Sequence, residues 1–367
     1  MKRSLLIALS ALLVAGCPTP APSSPAPSPP PPALSPTQSA DAAWHFLELP
    51  NDDHANFASV AATAHDAVIV GGRDMAPVAW ASHDGGAWTS EQLPPDSGFP
   101  GSVHALGDRL LAVGGVQTSR CAHPAATVFW VRSADGRWEV APFDQLFCSG
   151  GGSASLAVAG GRAEIVGAGT GDLPFAWFSD DGLAWVDAGF PAKMLPSLLT
   201  AMGGGFAALG TRDERWLFAR NAGRPPWTVT DLPLLPFQAE AIGLAEVGGG
   251  VIAWFVRTDG QAFALTSRTG DGWESVRLIG LEGVKLQHVA RSPDGYVALG
   301  AAQAGPRMFV SRDGANWRHV VGPADASLAS YDDVALSGDR AILLGTVAMG
   351  DGRAGLVWGG PASWFEP

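Results

Sequence analysis

Eight tryptophans recur along this 367-residue chain at intervals of 42 to 50 residues: Trp44, Trp88, Trp138, Trp185, Trp227, Trp273, Trp317 and Trp364. Four of them close nearly the same phrase, ending at Trp88 (Ser82, Asp84), Trp138 (Ser133, Asp135), Trp185 (Ser179, Asp181) and Trp317 (Ser311, Asp313). A period in the forties that carries a turn signal and an aromatic residue marks one supersecondary unit copied along the chain. Such a unit cannot bury its own apolar faces, so the copies must stack. No stretch shows helical apolar spacing; short apolar runs bounded by Gly, Pro and Asp dominate instead. The expectation is an all-β, seven-bladed β-propeller of four-stranded antiparallel blades over residues 41–367, with eight blades the competing count.

Each unit reads as four runs. The second ends in glycine: Gly71, Gly114, Gly167, Gly210, Gly300 and Gly345. Gly71, Gly210 and Gly300 precede their tryptophan by 17 residues and Gly167 by 18, whereas blade two carries an insertion that holds Cys121. The Trp44 segment resembles only the fourth strand of a unit. It is expected to pair beside the last blade or to displace its own final strand, removing an open sheet edge.

The phrase itself is turn chemistry. Aspartate accepts backbone N–H bonds, glycine supplies positive φ, and tryptophan packs between blades. It resembles the Asp box of the BNR-repeat, sialidase-like propellers, in a form one residue shorter, and it decays before Trp227, Trp273 and Trp364. The resemblance implies a structural role for those residues, away from any active site. It also implies, for a sialidase, an arginine triad, a Tyr–Glu nucleophile pair, an aspartic acid and an early Arg-Ile-Pro phrase. The phrase is absent, and of the two tyrosines Tyr296 falls in a core strand, so that only Tyr331 is positioned to reach the centre.

Ahead of the repeats, residues 1–16 form a basic start and a short apolar core, too short for a spanning helix of about 20 residues. The run ending at Cys17 looks like the lipobox of bacterial lipoproteins, which implies cleavage before Cys17 and acylation (palmitate) of that residue. Multiple acyl chains would anchor the protein stably to a membrane. Residues 17–40 hold the lipidated cysteine and an uncharged Pro/Ala/Ser-rich stretch expected to be a disordered, extended linker. Pro18 after Cys17 points to the outer membrane. Export and an even remainder of cysteines predict a Cys121–Cys148 disulfide.

Counting back 12 residues from each second-strand glycine lands on Ser59, Ser102, Ser155, Leu198, His288 and Asp333. These are expected at matching heights on the innermost strands, with His288 and Asp333 as neighbours and Tyr331 just above. Together those three form the candidate ligand-binding set. Catalytic signatures for metalloproteases, serine hydrolases and phosphate-cradling loops are missing. No metal site is assigned and no cofactor is expected; calcium at Asp52–Asp53, Asp172 or Asp332–Asp333 has only acidic loops behind it. A net charge of −12 without a basic cluster beyond the leader argues against nucleic acid. The function expected is a monomeric, membrane-anchored binding or scaffolding module for a protein or glycan. The competing readings are a glycoside hydrolase of sialidase type and an assembly factor for an envelope complex.

Overall fold

In the second strand of the first unit, Val68, Ile69 and Val70 are all fully buried. Successive strand residues face opposite sides of a sheet, so this sheet must be covered on both. Ile69 packs into one apolar cluster with Ala335 and Leu344, and Val68 and Val70 into another with Val103 and Trp130. The same two-sided burial holds for every unit, which is why the sheets stand radially with their faces against each other.

The computed structural model describes residues 44–367 except 51–54, 75, 84–85, 95–97, 122–124, 145–146, 149–153, 170–172, 234, 236–238, 293, 324–327, 338–339, 350–351, 363 and 365–367. Cys17, the proline-rich linker, Asp52, Asp53, Asp84 and Asp172 therefore lie outside the described residues. Seven four-stranded antiparallel sheets form a ring. From first to last their innermost strands are Ala55–Ala62, Phe99–Leu106, Ala154–Ala159, Leu195–Met202, Glu240–Val247, Lys285–Ser292 and Leu328–Ser337. Seven apolar clusters fill the seven seams between neighbouring blades, including the seam between blades seven and one.

Blade seven is completed from the other end of the chain. His45–Phe46 pairs antiparallel with Gly352–Pro361, setting His45 opposite Gly359 and Phe46 opposite Trp358. Seven blades is thus the count, and the N-terminal strand takes the place that Trp364 had suggested for a strand of its own. Trp364 instead lies buried beside Trp44, ring centroids 5.5 Å apart, in the seam of blades six and seven. Gly360 makes room for Trp44, whose Nε1 donates to Val321 O at 2.9 Å and so ties the closing strand to blade six.

The recurrent second-strand glycine has a steric cause. Six innermost strands shift register by one residue at the same place, between Phe57 and Ser59 in blade one and between Leu286 and His288 in blade six, for example. The bulge drives a backbone carbonyl across the second strand. A Cβ at Gly71 would sit 2.2 Å from Asn56 O, at Gly114 2.0 Å from Phe99 O, and at Gly210 2.4 Å from Leu195 O. In these blades glycine lets the bulged strand pass, whereas blade five carries the same bulge opposite Phe255.

The Asp-box turns are seen complete in blades three and six. Asp181 Oδ1 accepts N–H bonds from Leu183 and Ala184, both 2.8 Å, while Ser179 Oγ accepts from Gly182 N at 2.8 Å. Asp313 and Ser311 repeat this with Ala315, Asn316 and Gly314. The tryptophan Nε1 then donates back to the turn glycine's carbonyl, at 2.9 Å for Trp185 and 3.1 Å for Trp317. Burial alone would raise the Asp313 carboxyl, but the bonds from Asn316, Ala315 and Ser311 outweigh it and hold the group at about 2. Blade five lacks the aspartate yet keeps Ser267 with Gly270 and Gly270 with Trp273. Each of these turns seats on the blade before it: Trp185 stacks on Phe129 at 4.0 Å and Trp273 meets Phe218 at 5.1 Å.

Blade two departs from the pattern. Its phrase is a residue shorter and closes as a tight hairpin, Ser133 N to Arg137 O, 2.9 Å. Trp138 Nε1 donates instead to Glu91 of blade one, which also takes a bidentate pair from Arg132.

Replacing Gly210 with alanine is expected to destabilise the ring by roughly 2–4 kcal/mol, because the collision is with backbone and not with a rotatable side chain. Equilibrium urea unfolding checks this, with Gly203→Ala as a positive-φ control that meets nothing within 4 Å.

Candidate functional site in the axial channel

An innermost strand is a sheet edge, so half its N–H and C=O groups have no neighbouring strand and must find partners elsewhere. The residue just after the bulge meets part of that need. Ser59, Ser102, Ser155, Leu198, His288 and Asp333 do occupy one register position. Each lies opposite the residue that precedes the second-strand glycine: Val70, Val113, Val166, Leu209, Leu299 and Leu344. Blade five has no such glycine, and its equivalent residue, Gly243 opposite Trp254, left no mark in the repeat.

From this position a side-chain oxygen reaches the next blade and accepts the N–H one residue further on. Ser59 Oγ accepts from Val103 N at 3.3 Å, Ser155 Oγ from Leu199 N at 3.0 Å, and Asp333 Oδ2 from Val60 N at 3.0 Å. Ser59 Oγ in turn donates to Asp333 Oδ2 at 2.8 Å. The polar ring therefore laces blade to blade. These bonds cross the seams of blades seven and one, one and two, and three and four; Leu198, Gly243 and His288 have no side-chain oxygen to continue them.

His288 and Asp333 are neighbours, with Nε2 and Oδ1 3.9 Å apart, a distance for charge attraction but not for a hydrogen bond. Asp333 is otherwise engaged by Ser59, Val60 N and Val334 N. Tyr331 does not join them. A second register shift between Tyr331 and Asp333 puts the two side chains on opposite faces of the strand. Tyr331 is consequently buried in the seam with blade six, its hydroxyl against Gly322 and 3.4 Å from Pro323 O, and burial raises its pKa. Asp332, the acidic neighbour considered for calcium, is bonded to Ser330 Oγ and Thr346 Oγ1. Among the described residues no three metal-ligating side chains converge.

His104 joins the channel residues. It lies in the Ser102 run of blade two, two positions past the register residue, and its Nε2 is 3.3 Å from Ser102 Oγ. Half-buried, it borders a half-open cavity lined by the innermost strands of blades six, seven, one and two. Removal from bulk water lowers its pKa to about 4, with Asp333 pulling the other way, so the ring is neutral near pH 7. Arg291, on the same cavity, stands 3.8 Å from Glu246 of blade five.

Off the axis, Glu164 in the second strand of blade three is 1% exposed and bonded through both oxygens to Asn221 Nδ2 of blade four, at 3.0 and 3.2 Å. Burial raises it to about 7, against the Asn221 bond and the Arg162 charge. The expected Cys121–Cys148 disulfide is formed, Cα atoms 5.3 Å apart, tying the inserted loop of blade two to the crossing into blade three.

With this geometry in place, solved structures supply the comparison. A streptogramin B lyase overlays on 87% of this chain and 97% of its own, at TM-score 0.57 and 10% identity. The propeller domain of the Pyrococcus furiosus trilobed protease, described as having an open velcro topology, overlays on 85% and 94% at 0.56 and 7%. A Trypanosoma rangeli sialidase covers 85% of this chain and 56% of its own, with TM-score 0.45 and 12% identity. No protein-family model and no curated protein matches the sequence. The shared property is the fold.

Two outcomes are expected here. Because Glu164 has a folded pKa above its unfolded value, its contribution to stability is full below about pH 4.5 and is lost as pH rises to about 7, up to about 3 kcal/mol. Glu164→Gln keeps an acceptor for Asn221 and should flatten that part of the stability–pH curve, read by denaturant midpoints from pH 4 to 8. Asp333→Ala should destabilise by about 1–3 kcal/mol, since it strips acceptors from Val60 N and Ser59 at the seam of blades seven and one. Hydrogen exchange at the Val60 amide reports that loss directly.

Proposed function

We propose that this protein is a non-catalytic binding or scaffolding module, lipid-anchored at Cys17, whose propeller meets a protein or glycan partner on the cell envelope. The observation that carries the reading is the commitment of Asp333. Beside His288 it is the group best placed to act as an acid or base, and it is held by three framework hydrogen bonds. General acid–base work needs a carboxyl free to exchange its proton with substrate. The tyrosine that a sialidase-type nucleophile pair requires is likewise in a seam, not in the channel.

The direction of the closing strand supports a choice of binding face. His45–Phe46 runs antiparallel to Gly352–Pro361, so Trp44 is at the end of the blades that carries the Asp-box turns. The chain enters the ring there. The opposite end, with the disulfide-tied loop of blade two, is free of that attachment and is the end assigned to the partner. Pro18 after Cys17 favours the outer membrane.

Cys17→Ala should leave the leader uncleaved and abolish incorporation of labelled palmitate. Crosslinking in intact cells should then capture one dominant partner with the wild-type protein and lose it when loop residues near Cys121 are replaced. Turnover of a sialoside or surface polysaccharide by the purified protein, abolished by Asp333→Asn, would overturn the binding reading in favour of a glycosidase.

A further inference from the structure

The cavity beside His104 measures about 210 Å³, room for several waters or for one small organic molecule. Small side chains make the space: Ala61, Ala62, Ala105, Ala290 and Ala335 line it from four consecutive blades. Polar walls come from the strand edges. Val60 and Val103 turn their N–H groups to the neighbouring blade's side chain and not into their own sheet. The edge groups two residues on, at Ala62 and Ala105, have the same direction by strand periodicity and have no partner strand on that side. Each such residue offers one donor and one acceptor.

The charge around the cavity is that of one carboxylate, Asp333, which also acts on His104. The Arg291 cation is set off by Glu246, and Asp333 is taken up by its three hydrogen bonds. His104 is neutral near pH 7 and has one ring nitrogen beside Ser102, which leaves the other for a ligand. Paired donors and acceptors beside one carboxylate whose lone pairs are already used suit hydroxyl groups, each of which both donates and accepts, and repel anions. We infer that this cavity binds a small neutral polyhydroxylated molecule, of the size of a single hexose, through the inner-strand edges of blades one and two and the His104 imidazole. The site is at the inner-hairpin end of the channel, distinct from the loop face assigned to a partner.

The test is ligand-observed saturation-transfer NMR on the mature protein in a detergent without a sugar headgroup. Glucose, galactose and N-acetylglucosamine are titrated singly, with acetate and inorganic phosphate as ionic comparators. At least one hexose should give saturable transfer. His104→Leu should weaken it roughly tenfold by removing the ring's hydrogen bonds. Ala290→Leu should abolish it by filling the space, and Ala62→Val does the same with a smaller addition if the first variant does not fold. Absence of saturation with all three sugars, equal binding by the filled variants, or binding of acetate or phosphate in place of sugar would overturn the inference. The measurement uses neither partner nor membrane, so its failure and that of the proposed partner binding are separately visible.

Discussion

Burial of both faces of every sheet is the constraint on which the rest of this structure depends. A four-stranded blade with apolar residues on each side has no stable isolated form, and a linear stack would end in two exposed apolar faces. Bending the stack into a ring removes both ends at once. Seven seams then share the stabilisation, which explains why the aromatic residues are spread along the chain and not gathered in one core. The turn tryptophans serve the same purpose: each projects from its own hairpin onto the preceding blade.

Closure has a consequence for polar chemistry. Radial sheets place seven strand edges around one axis, and those edges carry unpaired backbone groups that apolar packing cannot satisfy. Ser59, Ser155 and Asp333 are used to lace one edge to the next. Polar residues at the centre of such a ring are thus needed for architecture before any ligand arrives, and their presence alone says little about catalysis. His104 and Arg291 differ because the lacing does not use them.

The legible part of the sequence was the part that repeats. Trp spacing gave the blade count, and glycine spacing gave the register of the channel residues. Both signals are steric: in most blades the bulged strand crosses a residue without a side chain, and a turn must seat on its neighbour. What could not be read was where the repeat breaks its own parity. Tyr331 was expected at the channel because counting along a strand assumes strict alternation, and the extra residue before Asp333 reverses it. Gly243 was invisible because Phe255 replaces the marker glycine in blade five. Trp364 kept the spacing of a fourth strand although the strand itself comes from His45–Phe46. His104 carries no mark in the repeat, since only its place in the channel sets it apart from a surface histidine.

Pairing His45–Phe46 with the last sheet has a temporal side. Gly352–Pro361 is the last strand of the ring in chain order and His45–Phe46 the first. The circle cannot shut until both strands are present, and until then the seam beside Leu49 stays open to solvent. Until those two strands meet, a ring built this way carries one unsealed apolar seam, and that seam is where it is stickiest.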